Sequence, residues 1–195
     1  MRQIPEKHHA ELAKFLAAGD FVHDGNDIII HGSARGSGIY RTTINGKPDA
    51  EFHNLMVAEG LIYLLQAGLT NATRYASWYL ALYSGAVTPA ANWTAANFAS
   101  TASEITSNSE GYSNLTRPQW MPSTVGGILT NASAKAEFNI VATTTINING
   151  AALLSANAKG ATSGVLLSAG RYPATKFLGN TDVFGCEYDA TLTDS

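Results

Sequence analysis

Charge is what this chain has least of. Only 14% of its 195 residues are Asp, Glu, Lys or Arg, where about 25% is usual for a soluble domain. Asn, Thr and Ser take over part of the solvation, and a surface covered by partner proteins would account for the rest. The net charge is −3 and the 12 Lys and Arg are scattered. No basic field exists to hold a phosphate backbone, so nucleic acid is not an expected partner. Cys186 is the only cysteine, which excludes an intrachain disulfide and a cysteine-based zinc site. No apolar run reaches the ~18–20 residues of a membrane-crossing helix, and no membrane contact is expected. The opening MRQIPEKHHAELAKF does not have the apolar core of a secretory signal. Asn-X-Ser/Thr triplets at Asn71, Asn92, Asn114 and Asn131 are what chance supplies in a chain this rich in Asn and Thr.

The usual signatures of catalysis are missing too. GSARGSG, Gly32–Gly38, carries three glycines but no Lys-Ser/Thr and no following helix pattern, so it reads as a flexible linker-like loop and not as a phosphate cradle. No G-x-S-x-G is present, and all five histidines fall in the first 53 residues, so a triad would need one of them to meet a serine across domains, and the spacing offers it no support. His8 and His9 are adjacent, and on a helix they point about 100° apart, which disfavours a shared metal. His23 and His31 bracket a short hairpin with Asp24 and Asp27, an arrangement expected of a polar hairpin tip. Glu187 and Asp189 share the polar face of a strand, read as solvated, and Glu104 and Glu110 fall in loops. No carboxylate stands in an apolar context that would tune it for acid catalysis. The expectation is a protein that is not an enzyme, with no catalytic residue, no cofactor and no bound metal.

What is present is a charge-dense beginning and a strand-rich remainder. Residues 1–54 hold 13 of the charged side chains and residues 55–195 hold 14, which marks the first quarter as distinct. Pro5 to Ala18 reads as a helix with a narrow stripe of Leu12, Phe15 and Leu16, stopped by Gly19. FVHDGNDIII predicts a hairpin, and IYRTTINGKPDAEF a second one turning at Asn45-Gly46. The boundaries expected are an arm over residues 1–37 and a body over 38–195. In the body, Asn54 is placed as the cap of a helix over 54–67 closed by Gly68. Leu61, Leu64 and Leu65, with Val57 and Ala58, are placed on one face, and Ile62 and Leu69 widen the apolar arc, which predicts burial. SWYLALYSG is apolar on both faces, so it reads as a strand covered on both sides, with Trp78 in the core. KAEFNIVA, TTINI, GVLLSAGRY and FGCEYDATL follow, the last alternating Phe184, Cys186 and Tyr188 against Gly185, Glu187 and Asp189. Residues 85–110, GAVTPAANWTAANFASTASEITSNSE, read as a long polar insert around Trp93 and Phe98, of a length that is usually functional or ordered by a partner. The fold class expected is mainly β: an antiparallel β-sandwich, jelly-roll-like or Ig-like, with one buried helix and an N-terminal helix-plus-hairpin arm.

The order of these segments carries a resemblance. EFHNLMVAEGLIYLLQAGL is followed by SWYLALYSG, then EGYSNLTRPQW, then GGILTNASAKAEFNIVATTTINING. Over residues 38–193 this resembles a family of tailed-bacteriophage virion proteins, with a hairpin, an "HNL…EGL.YLL" helix, a "WY" strand, a "TRP.W" segment and an Ala/Ser/Thr-rich sandwich. The resemblance implies a structural protein of the virion, assembled in the bacterial host cytoplasm. The leading placement is a capsid decoration or cement protein that stabilises the head through subunit contacts. The alternative is a tail, collar or fibre-attachment protein. The partners implied are the major capsid protein or tail and portal components, together with copies of itself, a trimer among the orders considered. A glycan-binding module is a third reading, resting on Trp93 and Trp120 as surface stacking platforms. Interface candidates are Leu12, Phe15 and Leu16 in the arm, Trp93 and Phe98 in the insert, and Arg117 and Trp120 in GYSNLTRPQW. Pro118 holds that last segment extended, and no His, Cys or nearby carboxylate accompanies Arg117 in sequence. Arg117 and Trp120 therefore either brace the sandwich or anchor a neighbour.

Overall fold

A computed structural model of the chain describes residues 21–24, 27–30 and 34–194. The chain divides into two compact units, Met1–Arg35 with Leu192–Ser195, and Gly36–Thr191. In the first, β1 (Phe21–Asp24) pairs antiparallel with β2 (Asp27–Ile30), with Asp24 opposite Asp27. The helix expected over residues 5–18 lies outside the described residues, as do the contacts of Leu12, Phe15 and Leu16.

The larger unit is organised around strands with no polar face. In chain order its elements are β3 (Ala34–Ile44), β4 (Lys47–His53), β5 (Leu55–Met56), α1 (Ala58–Leu69), β6 (Trp78–Tyr83), α2 (Ala95–Ala102), β7 (Gly111–Tyr112), β8 (Gln119–Trp120), β9 (Ser123–Val125), β10 (Ile128–Thr130), β11 (Ala136–Val141), β12 (Thr145–Leu154), β13 (Leu166–Gly179) and β14 (Val183–Asp194). Two antiparallel sheets result. One runs β5-β13-β12-β6-β8, and the other β4-β3-β14-β10-β9, with β11 pairing both β14 and β7. Leu80, Leu82, Ile148, Ala151 and Leu153 of the first sheet meet Tyr40, Phe138, Phe184, Cys186 and Tyr188 of the second in one core. The chain is therefore mainly β and an antiparallel sandwich.

The opposite face of the first sheet is also apolar. Ala81, Tyr83, Ala152, Leu154 and Ala169 point away from the sandwich and are buried under Val57, Trp93, Ala95, Phe98 and Ala102. Segment 85–110 supplies most of that cover. It is not a plain loop, because its middle is α2. Thr94 accepts a hydrogen bond from the Asn97 amide, and the Asn97 side chain accepts one from the Thr94 amide, which makes a complete capping box. Asn stands where Glu or Gln is usual in that motif, so the helix start is easily passed over. The buried helix of the fold is thus α2.

Three further expectations are corrected. The strand β3 begins at Ala34, inside the presumed loop GSARGSG. Gly38 is needed there because a Cβ would sit 2.5 Å from the Asp189 carbonyl oxygen, so the glycine serves close packing, not flexibility. The helix expected over 54–67 covers 58–69. Val57 is its N-cap without a side-chain bond, and the chain leaves it at Thr70, not at Gly68. Asn54 instead donates to the Tyr188 hydroxyl at 2.8 Å. Trp78 is half-buried, its ring edge-on to Tyr63 and Tyr75. The hairpin turn at Asn45-Gly46 is found, with φ of 52° and 77° at the two residues, the left-handed pair that a tight β-turn requires.

Two measurements test this packing. Phe98→Ala empties the centre of the outer layer and should lower unfolding free energy by about 3–5 kcal/mol in a denaturant titration, whereas Leu65→Ala on exposed α1 should change it by less than about 0.5 kcal/mol. Five buried tyrosines, Tyr40, Tyr83, Tyr112, Tyr172 and Tyr188, are pushed above their ordinary value, mainly by burial. The folded chain therefore keeps protons that the unfolded chain releases. That stability is intact below about pH 10 and falls as pH rises past it. Tyrosinate absorbance of these five in alkali should appear only together with unfolding.

Candidate functional site

The segment GYSNLTRPQW enters at β7, leaves at β8, and carries Arg117 into the interior. The Arg117 side chain is fully buried. Its Nε and Nη2 donate to the two carboxylate oxygens of Glu104, each at 2.7 Å, and its Nη1 donates to the Ala156 carbonyl at 2.8 Å. The Arg117 amide donates to the Asn157 carbonyl, and the Glu104 carboxylate also accepts from the Gly160 amide at 3.0 Å. Burying two charges is costly, and here a bidentate geometry with further backbone partners offsets that cost. Glu104 follows directly on Ser103, the left-handed cap of α2, and its backbone bridges to Tyr83. One ion pair thus ties the end of the outer helix, the GYSNLTRPQW run and the 155–160 loop. This corrects two expectations: a carboxylate does accompany Arg117, and Glu104 is not a loop residue in water.

Lys159 extends the tie. Its Nζ donates to Asn108 Oδ1 at 2.5 Å and to the Tyr112 carbonyl at 2.8 Å, and sits 3.6 Å from the centre of the Tyr112 ring. Burial lowers its pKa to about 8, against the opposing pull of Glu104. On the far side of the sandwich, Glu187 and Asp189 of β14 are also buried, not solvated. The Arg41 guanidinium bonds to both and to Glu51, and Lys135 Nζ lies 2.9 Å from Glu187 Oε2. Hydrogen bonding to Asp189 leads the causes that push the Arg41 guanidinium above its ordinary value. In both clusters opposite charges pair within the chain.

The expected interface residues fare accordingly. Trp120 is 6% exposed, and its Nε1 donates to the Tyr188 carbonyl at 3.0 Å. Trp93 and Phe98 pack edge-on against Tyr83 under the outer face of the sheet. All four of Trp93, Phe98, Arg117 and Trp120 are therefore interior braces, and neither tryptophan is a stacking platform at the surface. Their aromatic and Arg character reads alike for a core anchor and an interface anchor, and only burial separates the two.

Four of the exposed large apolar side chains lie where burial was expected, on α1. Its inner side rests on Gly60, whose Cβ position would fall 2.3 Å from the Leu167 carbonyl oxygen, and on the half-buried Tyr63 and Leu64. That close seat leaves Leu61, Ile62, Leu65 and Leu69 outside, 42%, 54%, 62% and 81% exposed. At 100° per residue these four fall within one arc of about 100°, so they form a single stripe. Glu59, the only charged residue of α1, turns inward and accepts from the Ala95 and Leu166 amides at 2.8 and 2.7 Å. A contiguous apolar stripe without charge is the mark of a docking surface, and it is the candidate site of this chain. Sequence pattern alone could not find it, because a wide apolar arc gives no sign of which part its neighbours leave open.

Among the described residues no group of three or more His, Cys, Asp or Glu is placed to hold a metal ion, and no helix is long and apolar enough to cross a membrane. Compared with known family models, with curated proteins and with solved structures, the chain matches none.

Because Arg117 braces the body, Arg117→Met strands Glu104 unpaired in the interior and should cost about 3–5 kcal/mol of unfolding free energy. Glu104→Gln, which keeps an acceptor for Gly160, should cost less. A urea titration of the isolated chain reads both. An unchanged midpoint for Arg117→Met would mean that the pair does not brace the fold.

Proposed function

We propose that this chain is a structural protein of a bacteriophage virion that works by docking, without catalysis, and that its place is on the capsid as a decoration or cement protein. The observation that carries the docking part is the α1 stripe of Leu61, Ile62, Leu65 and Leu69 on the surface. Leaving such side chains in water is unfavourable by about 25 cal/mol per Å² of apolar area, and contact with another protein recovers that term. The virion part is supported by the resemblance of residues 38–193 to tailed-phage virion proteins and by the low charge of 14%, which suits a surface largely covered by neighbours.

A decoration protein acts through number. Each seam between subunits contributes a small burial term, and a closed lattice repeats it over every copy, so the shell gains far more than one contact suggests. A body whose core is braced internally at Arg117 and Glu104 is suited to that task, since it presents the same surface in every copy.

The test is the copy number of the chain in particles purified from a host lysate, by gel densitometry. On the order of hundreds of copies per particle is the expected result, as a repeated lattice contact requires. About a dozen or fewer would place the chain in the tail or collar instead, and absence from particles would end the virion reading.

A further inference from the structure

We propose that Lys159 and Asn108 form a covalent cross-link within the chain: the Lys159 amine displaces ammonia from the Asn108 side-chain amide and leaves a secondary amide between the two side chains.

The fold brings the two reacting groups together. Lys159 lies in the loop between β12 and β13, and Asn108 in the turn before β7. They are 51 residues apart in sequence, yet Lys159 Nζ stands 2.5 Å from Asn108 Oδ1. The carboxamide carbon is one C=O bond of about 1.2 Å beyond that oxygen, so a small rotation of the Asn108 amide presents it to the amine for attack. A hydrogen bond to the Tyr112 carbonyl at 2.8 Å and the Tyr112 ring 3.6 Å away keep the amine in place. Tyr112 is fully buried and fixed by the pairing of β7 with β11, so the seat is rigid.

Charge sets Lys159 apart from two other lysines of the body. Lys135 and Lys176 each pair with a carboxylate, which keeps an amine protonated and inert. Among the described residues Lys159 bonds to the Asn108 and Tyr112 oxygens and to no carboxylate. Both oxygens of Glu104 are engaged by Arg117, and Glu110 is turned to the Thr143 amide. Burial therefore outweighs the pull of Glu104 and brings the amine down to about 8. Part of it is then neutral, and so nucleophilic, in mildly alkaline solution.

The step balances without a co-reactant. The Nζ lone pair forms the new bond to the carboxamide carbon. The bond from that carbon to the Asn108 amide nitrogen breaks, and this nitrogen leaves as ammonia with a proton taken from Nζ. No atom is oxidised or reduced. The event occurs once per chain, so proximity is enough and no turnover machinery is needed. A chain whose one cysteine is buried and free has no disulfide, and this amide serves the same end: it closes a long loop. It also fastens covalently the two segments that the Arg117–Glu104 pair ties by charge.

The test is the intact mass of the full chain after incubation at about pH 9, where the Lys159 amine is mostly neutral, followed by peptide mapping. The native chain should weigh one ammonia less than its sequence requires, and its digest should contain a branched peptide joining Asn108 to Lys159. Conversion should speed up about 10-fold per pH unit below about pH 8 and level off above it. Lys159→Arg, which keeps the charge and the donors, and Asn108→Ala should both keep their full sequence mass. A native chain that keeps its full mass overturns the proposal. Asn108 can also lose ammonia by closing on its own backbone, so a loss that persists in Lys159→Arg, or one without the branched peptide, overturns it as well. The branched peptide is read on the native chain and decides even where a variant misfolds. None of these outcomes alters the particle copy number, which judges the virion reading separately.

Discussion

The structure depends on a sheet that has no face fit for water. In β6, Leu80 and Leu82 point one way and Ala81 and Tyr83 the other, and all four are buried. In β12 the residues from Ile148 to Leu154 are buried without a break. A sheet with such strands at its centre needs a layer on each side. The second sheet supplies one layer and the 85–110 segment supplies the other. That is why a stretch of small and polar residues forms α2 and lays Trp93 and Phe98 on the sheet. The same demand explains Gly150, where a Cβ would strike the Tyr83 ring at 2.2 Å: the large aromatic of the outer layer needs the space that a side chain would take.

An outer layer made from a connection must be fastened at its end, and the Arg117–Glu104 pair does this. Helix propensity alone would not hold an eight-residue helix. The capping box starts it, Phe98 packs its centre, and Glu104 ties the chain beyond its end to two other segments. Since the tie is charged and buried, it is also specific. A shift of one residue in either segment would leave an unpaired charge inside the protein. The Arg41, Glu187 and Asp189 cluster follows the same logic on the outside of the other sheet. Among the described residues, several charges are thus used to hold the body together.

A protein that spends its polar chemistry internally has mainly shape and apolar surface to offer partners. The α1 stripe is that surface. Gly60 lets the helix sit so close to β13 that its larger side chains are not needed for the fold. They remain on the outside. This is the physical link between the packing of the body and the assembly role proposed for it.

Period-two alternation in KAEFNIVA is the burial pattern of β11, the Asn45-Gly46 turn forms as its φ demands require, and the two-sided apolar strand is covered on both sides; in β14 the alternation places Phe184, Cys186 and Tyr188 in the core, but the opposite face with Glu187 and Asp189 is buried as well. These are local properties, since side-chain alternation and turn conformation need only neighbouring residues. The sandwich followed from them. What the tertiary structure decided is which apolar and charged groups find partners far along the chain. Glu104 and Arg117 are 13 residues apart and Arg41 and Asp189 are 148 apart, and no spacing rule connects them. Trp93, Trp120 and Leu65 show the same division. Trp93 and Trp120 stand outside an obvious core pattern yet are buried, and Leu65, on a helix whose pattern predicts burial, is exposed, because burial depends on what other segments cover and not on the residue itself.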